Sequence, residues 1–196
     1  GLMRFDFTDE QKMIRKTVRE FAQEVIAARA AEIDETENFP IDIWKQMGEL
    51  GFLSLTLPKE YGGMAADHVS CSILIEEIAK VSASLGNAVA GNKIGHDFMV
   101  NFASKEQKNK YVESVGKGQT IMAFTATEPS GGSDVAALKT RAVRKGDKFI
   151  INGNKIFVTF GALAEFFVAI ARTNDNPGHK GLSAILVERN RPGLKV

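Results

Sequence analysis

The run Val115-Gly116-Lys117-Gly118-Gln119-Thr120-Ile121-Met122-Ala123-Phe124-Thr125-Ala126-Thr127, residues 115–127, divides the chain. Gly116 and Gly118 end a helix, because glycine accepts the left-handed backbone that closes a helix terminus. Ile121 to Thr127 is apolar and β-prone. Before this run, apolar residues recur at helical spacing; after it they form short runs parted by turn signals. The boundary therefore falls near Gly118. The pattern predicts an α+β chain: an all-helical domain over 1–118, then an antiparallel β domain over 119–196.

Working back from the boundary, Ser104-Lys105-Glu106-Gln107 is a capping box that starts a helix running toward Val115. The charged set from Lys105 to Glu113 reads as a solvated helix face. A helix is predicted over Gly95 to Phe102, and a longer one from Asp67 to Leu85 with Ile73, Leu74, Ile78 and Val81 as its apolar stripe. Pro58 and Gly62-Gly63 form a loop. Pro40 opens a short helix through Trp44 and Met47, stopped near Gly51. Thr8-Asp9-Glu10-Gln11 is a second capping box, and Ile14, Val18, Phe21 and Val25 then share one face. Gly1-Leu2 ahead of Met3 read as an appended remnant and carry no argument.

Working forward, Lys139 to Arg144, Lys148 to Ile151, Ile156 to Thr159, Phe166 to Ala171 and Leu182 to Val187 read as strands. Gly146-Asp147 turns the chain, and Asn152-Gly153 is a hairpin signal, since both residues tolerate positive φ.

The 196 residues suffice for a real core, and 44% hydrophobic with 25% charged residues is ordinary for a soluble protein. A net charge of +1 gives no global field toward nucleic acid or a membrane surface. No apolar run is long enough to span a membrane, and no signal-peptide pattern is present, so a cytoplasmic or organelle-matrix location is expected. The single cysteine, Cys71, excludes an internal disulfide and reads as a buried inert thiol. His68 and His96 have no partner at metal-ligand spacing and His179 sits in a loop, so no metal site is expected.

The chemistry concentrates in Ala123 to Asp134, a strand running into a loop of glycines and hydroxyls. Glycines let backbone N–H groups approach a ligand, and Thr127 and Ser133 add donors, which suits a polar or anionic cofactor edge. A tight interdomain turn explains the same composition, and composition alone favours the turn. Likewise Phe157, taken without a motif, reads better as a core aromatic of a strand.

Thr127-Glu128-Pro129-Ser130-Gly131-Gly132-Ser133-Asp134 is a complete T-E-P-x-x-G-S-D motif, and on it the chain resembles the FAD-dependent acyl-CoA dehydrogenase family. Lys139-Thr140-Arg141-Ala142, Gly146-Asp147 and Ile151-Asn152-Gly153-Asn154-Lys155 follow in the family's order. Phe39-Pro40, Glu49-Leu50-Gly51-Phe52, Leu57-Pro58-Lys59-Glu60-Tyr61-Gly62-Gly63, Glu76-Glu77-Ile78-Ala79 and Gln107-Lys108-Asn109-Lys110-Tyr111 precede it, so the resemblance covers essentially the whole chain.

The resemblance implies a β domain in the form of a partial β-barrel, with the family's C-terminal helical domain absent. It implies α,β-desaturation of an acyl-CoA thioester, with electrons passing to FAD and then to an electron-transfer flavoprotein, in a homo-oligomer (tetramer or dimer). An acyl-CoA oxidase on the same scaffold, using dioxygen, is the nearest alternative. For the isolated chain a non-catalytic fragment or assembly module is another, because the family's catalytic carboxylate lies in the C-terminal domain. No residue here is assigned the base, and Glu128 and Asp134 resemble structural positions.

By the same resemblance Phe124, Ala126 and Thr127 lie along the flavin, Gly132 is a further cofactor contact, and Ser133 meets both the flavin's diphosphate side and the CoA arm. Phe157-Val158-Thr159 matches the family's W-I-T or F-I-T element, where the aromatic packs on the ring system and the threonine hydroxyl supports flavin N5. Phe160 departs from the usual Asn or Ser. Gly86-Asn87-Ala88-Val89-Ala90-Gly91 matches the segment at the acyl tail, which makes Asn87 and Ala90 candidate substrate contacts; small residues that let two helices pack closely are the equal alternative.

Overall fold

The computed structural model describes residues 6–196, so Gly1, Leu2 and Met3 lie outside the described residues. The chain forms two compact units, the first ending at Thr120 and the second covering Ile121–Val196.

The first unit is helical. Helix α1 (Asp9–Phe21) starts at the expected capping box: the Gln11 N–H donates to Thr8 Oγ1, and the Thr8 N–H donates to Gln11 Oε1. It runs into a π turn over Ala22–Ile26 and a 3-10 turn over Ala27–Arg29, then α2 (Ala30–Thr36). A π turn takes more residues per turn than an α turn. The face therefore rotates: Ile26 is fully buried and Val25, expected on that face, is only half-buried. Helix α3 (Ile41–Glu49) buries Ile43, Trp44 and Met47.

The stretch expected as one helix from Asp67 to Leu85 is two. Helix α4 (His68–Ala79) ends before Ser82, whose hydroxyl caps α5 (Ala83–Phe102) by accepting from the Leu85 N–H. The helix expected at Gly95 is the second half of α5, which passes through Gly86, Gly91 and Gly95 without a break. Helix α6 (Lys105–Gly116) opens with the predicted Ser104 capping box. Its charged residues face outward, but Val112 and Val115 are buried.

Helix α1 is bound to α4 through Glu77, which is 2% exposed. Arg19 meets it with two donors, Nε at 2.9 Å and Nη2 at 3.0 Å, and Lys80 Nζ adds a third at 3.0 Å. The Arg19 hydrogen bond is the main cause that lowers the Glu77 carboxyl, and with Lys80 it overcomes burial to hold the group at about 2.

The second unit is a sheet of β1 (Met122–Thr125), β2 (Arg141–Lys145), β3 (Lys148–Asn152), β4 (Phe166–Arg172) and β5 (Leu182–Glu188). Antiparallel pairing holds for β2 with β3 and for β4 with β5. The expectation of a wholly antiparallel sheet is corrected, because β1 and β2 both pair parallel to β4. The chain leaves β1 at one end of the sheet and returns through the β2–β3 hairpin to enter β4 beside the start of β1. Such a return makes neighbours parallel. No α-helix lies in that crossover, only a 3-10 turn at Val135–Ala137. The sheet is mixed and open.

β4 is its centre. Phe166 to Ala171 are all buried, with no alternation, as expected of a strand covered on both faces. β5 occupies one edge of β4 along its length, while β1 and the first residue of β2 share the other. The turn between β2 and β3 is the two-residue Gly146-Asp147, with Gly146 at φ 63°.

The signal at Asn152-Gly153 makes no hairpin. Asn152 ends β3, and the predicted strand Ile156 to Thr159 is an irregular loop. Phe157 (φ 55°) and Phe160 (φ 66°) take left-handed backbone, which a strand cannot. Gly153 serves close approach instead: a Cβ there would lie 2.2 Å from Thr140 Oγ1.

Candidate functional site

The motif loop is organised by its one buried carboxylate. Glu128 is 4% exposed. Its Oε2 accepts from the Lys139 N–H at 2.7 Å and its Oε1 from the Thr140 N–H at 2.8 Å. Lys155 Nζ donates to the same Oε1 at 3.0 Å and to the Ala126 carbonyl at 2.8 Å. Burial pushes the Glu128 carboxyl up, but the hydrogen bonds from Thr140, Lys139 and Lys155 outweigh it and hold the group at about 2. It is an anion at neutral pH, committed to structure.

The backbone around it closes tightly. The Glu128 N–H donates to the Gly131 carbonyl and the Gly131 N–H to that of Glu128, both at 3.0 Å, with Pro129 and Ser130 exposed at the tip. Gly132 lies against Thr127, where a Cβ would come within 3.0 Å of Oγ1 and Cγ2. Asp134 is exposed at the start of the 3-10 turn.

The second segment, Gly153 to Ala164, is attached to the first. The Ile156 N–H donates to the Thr127 carbonyl at 3.0 Å, next to the Lys155 contact with Ala126. Immediately beyond, Phe157 is 88% exposed although it is large and apolar. A bulky residue at positive φ is a strained conformer, and such strain concentrates at functional sites. Val158 and Thr159 are half-buried, and Phe160 is buried. Turns then close with the Gly161 N–H on the Val158 carbonyl at 2.9 Å and the Ala164 N–H on that of Phe160 at 2.8 Å.

Among the predicted cofactor contacts, Phe124, Ala126, Thr127 and Gly132 are half-buried and Ser133 is exposed. Phe124 and Ala126 alternate with the buried Ala123 and Thr125, which is the period of the strand. The structure joins Ala126 and Thr127 to the segment that leads into Phe157, Val158 and Thr159, and Gly132 lies against Thr127. The hydroxyls of Thr127, Ser133 and Thr159 form no hydrogen bond to protein among the described residues. An exposed aromatic face with free hydroxyls nearby can cover a flat heteroaromatic ring and donate to its polar edge.

Asn87 and Ala90 belong to α5 of the helical unit. Asn87 is exposed and Ala90 half-buried, whereas Gly86, Ala88 and Val89 are buried. Gly86 faces α4, and a Cβ on it would lie 2.6 Å from the Ala79 Cβ. Close helix packing therefore accounts for Gly86, and the exposed Asn87 lies off that contact.

His96 is buried on α5, with Nδ1 3.4 Å from Asn92 Nδ2, and burial lowers it to about 4. His68 and His179 are exposed. Among the described residues no group of three His, Cys, Asp or Glu side chains is placed to hold a metal ion, and no helix is long and apolar enough to cross a membrane. Burial pushes the Cys71 thiol up, away from the reactive thiolate.

Sequence reasoning missed Thr140 and Lys155 as partners of Glu128, and Arg189. Arg189 follows β5 and donates from Nη2 to the Gly161 carbonyl and from Nε to that of Ala164. Lys155 stood in a recognised motif without a role. For Arg189 the sequence holds no signal, since its partners are set by the β4–β5 register.

Two family profiles match the chain. One described as "Acyl-CoA dehydrogenase, N-terminal domain" matches residues 8–119, and one described as "Acyl-CoA dehydrogenase, middle domain" matches 123–196. An acyl-CoA dehydrogenase of Bacillus subtilis is 40% identical over 96% of this chain and 50% of its own length. A structure from work on the electron transferring flavoprotein of Acidaminococcus fermentans and flavin-based electron bifurcation superposes with a TM-score of 0.91 at 38% identity, over 97% of this chain and 50% of that one. The FAD complex of PigA superposes with a TM-score of 0.91 at 30% identity, over 97% and 51%. The chain spans about half the length of these relatives.

Proposed function

Because this chain belongs to the acyl-CoA dehydrogenase family, we propose that it supplies the helical wall and the flavin-facing loops of an enzyme that desaturates an acyl-CoA thioester between its α and β carbons. The observation that carries this reading is Phe157: an 88% exposed aromatic in left-handed backbone, attached through Ile156 to the glycine- and hydroxyl-rich loop at Thr127. The FAD bound by the structurally similar PigA supports flavin as the group these loops accept. Bound FAD would supply the two-electron acceptor that the desaturation requires.

The residues then divide the work. Phe124, Ala126 and Phe157 offer apolar surface to the ring system. Thr127 and Thr159 offer hydroxyl donors to its polar edge, and Val158 shields that edge from water. Gly132 and Ser133 serve the diphosphate side, with Ser133 shared with the CoA arm. Asn87 and Ala90 border the acyl tail; in the full-length protein Ala90→Phe should shorten the preferred acyl chain, because each rejected methylene is worth roughly 1–3 kcal/mol. No residue of this chain is assigned the base that takes the α proton. The relative from work on an electron transferring flavoprotein supports such a protein as the electron acceptor.

The test is on full-length protein. It should carry FAD, release it on denaturation, and lose its visible absorption when mixed anaerobically with an acyl-CoA. Recovery of FMN alone, or no flavin after reconstitution, overturns the reading. Thr159→Val should slow that loss of absorption by about 10²-fold if the hydroxyl acts in the transition state.

A further inference from the structure

The loop that presents Phe157, Val158 and Thr159 contains two non-glycine residues in left-handed backbone, Phe157 at φ 55° and Phe160 at φ 66°. Such conformers persist only where surrounding structure over-determines them. At the entry, Lys155 and Ile156 are bonded to Ala126 and Thr127. At the exit, the Glu165 N–H donates to the Ile121 carbonyl at 2.8 Å, and the Arg189 N–H donates to the Glu165 carbonyl at 2.8 Å.

The antiparallel pairing of β5 with β4 puts the end of β5 beside the start of β4, with Glu188 opposite Phe166. The next residue, Arg189, is thereby fixed beneath the loop that feeds β4. Its guanidinium lies over the Phe167 ring, Cζ 5.5 Å from the centroid, and gives Nη2 to Gly161 and Nε to Ala164. The fork geometry matters: one planar group meets two carbonyls three residues apart, which a lysine ammonium cannot do in a fixed orientation.

We propose that Arg189 is a positioning residue for the flavin, acting through the loop it clamps and touching neither cofactor nor substrate; this rests on the flavin reading above. Without the clamp the loop relaxes toward ordinary backbone and carries the aromatic and hydroxyl away from the ring they should meet. The sheet beneath is joined through the Arg189 backbone N–H, and the side chain touches it only at the Phe167 ring.

The experiment uses the full-length protein with FAD, and compares wild type with Arg189→Met and Arg189→Lys. Arg189→Met removes two hydrogen bonds, each of modest net worth, so FAD should bind roughly tenfold more weakly. Its visible absorption band should shift, and amide exchange should quicken more at residues 157–164 than at 167–171. Arg189→Lys should fall between. If Arg189→Met matches wild type in FAD affinity, spectrum and loop exchange, the proposal is overturned. It is also overturned if exchange quickens across β4 equally while FAD affinity holds, which would mark a purely structural arginine. Should Arg189→Met not fold, Arg189→Lys decides by the same readouts, and wild-type behaviour there overturns the proposal. Failure of the wild-type protein to bind FAD is a separate result, which removes the flavin reading itself.

Discussion

Lys155 joins the ends of two loops: its ammonium lies 3.0 Å from Glu128 Oε1 and 2.8 Å from the Ala126 carbonyl. The lysine side chain is 13% exposed and the glutamate 4%. Removing one partner of a buried pair leaves the other desolvated without its counter-charge. The Lys139 and Thr140 amides still serve Glu128, so the loss is partial. Lys155→Met in the full-length protein should cost about 2–3 kcal/mol, read from chemical denaturation, and should weaken FAD binding as well. Unchanged stability would show that the two amides alone suffice for Glu128.

Glu77 sets a pH dependence for the helical unit. Its folded value of about 2 is below the ordinary unfolded value near ~4.3. A depressed carboxyl contributes stability that is fully present above the unfolded value and is lost as pH falls through the folded one. Arg19 and Lys80 are 54% and 51% exposed, so water already screens much of the interaction. Glu77→Gln should therefore cost only about 1–2 kcal/mol at pH 7. Melting curves of wild type and variant should converge as pH drops from about 4.3 toward 2. A gap that stays constant over that window would assign the loss to packing.

Gly86 and Ala79 offer a test of helix contact. Alanine is the better helix former by about 1 kcal/mol, so Gly86→Ala would stabilise an isolated α5. Here the new Cβ would lie 2.6 Å from the Ala79 Cβ and 2.9 Å from its Cα. Overpacking costs typically about 1–3 kcal/mol, so a net loss is expected. Ala79→Gly in the same chain should recover most of it. Additive losses in the double variant would mean that the two residues do not meet.

The elements legible in the sequence were those whose cause is local. The capping boxes at Thr8 and Ser104 and the Gly146-Asp147 turn are each set by residues within three positions. Phe166 to Ala171 was legible as a strand, and the structure buries all six residues. What escaped depended on partners far along the chain. The first half of α5 was not read as continuous with the helix at Gly95, and there Gly86 answers to Ala79 on another helix. Asn152-Gly153 read as a turn, though Gly153 answers to Thr140. At the site, the loop after Thr127 was legible as a segment, whereas its fastening was not: Lys155 is 27 residues from Glu128, and Arg189 is 28 from Gly161. The parallel pairing of β1 with β4 escaped for the same reason, since nothing near either strand states its direction.

Phe157 separates stability from function. At φ 55° it sits where a side chain is disfavoured and glycine is not. Being 88% exposed, the ring gains little from burial in the flavin-free protein. Phe157→Gly therefore relieves strain of about 1 kcal/mol or more, set against the greater freedom glycine gives the unfolded chain. The flavin-free variant should be as stable as wild type or somewhat more so. The same change removes the aromatic surface proposed to cover the ring system, so FAD affinity should fall, and the stabilisation that added FAD gives should shrink with it. Phe157→Ala keeps the strain and loses the ring, so it should lose affinity without gaining stability. Melting the three proteins with and without FAD checks both halves. If Phe157→Gly destabilises the flavin-free protein by more than Phe157→Ala does, the left-handed backbone is not the source of strain. If both variants bind FAD as wild type does, the exposed ring has another purpose.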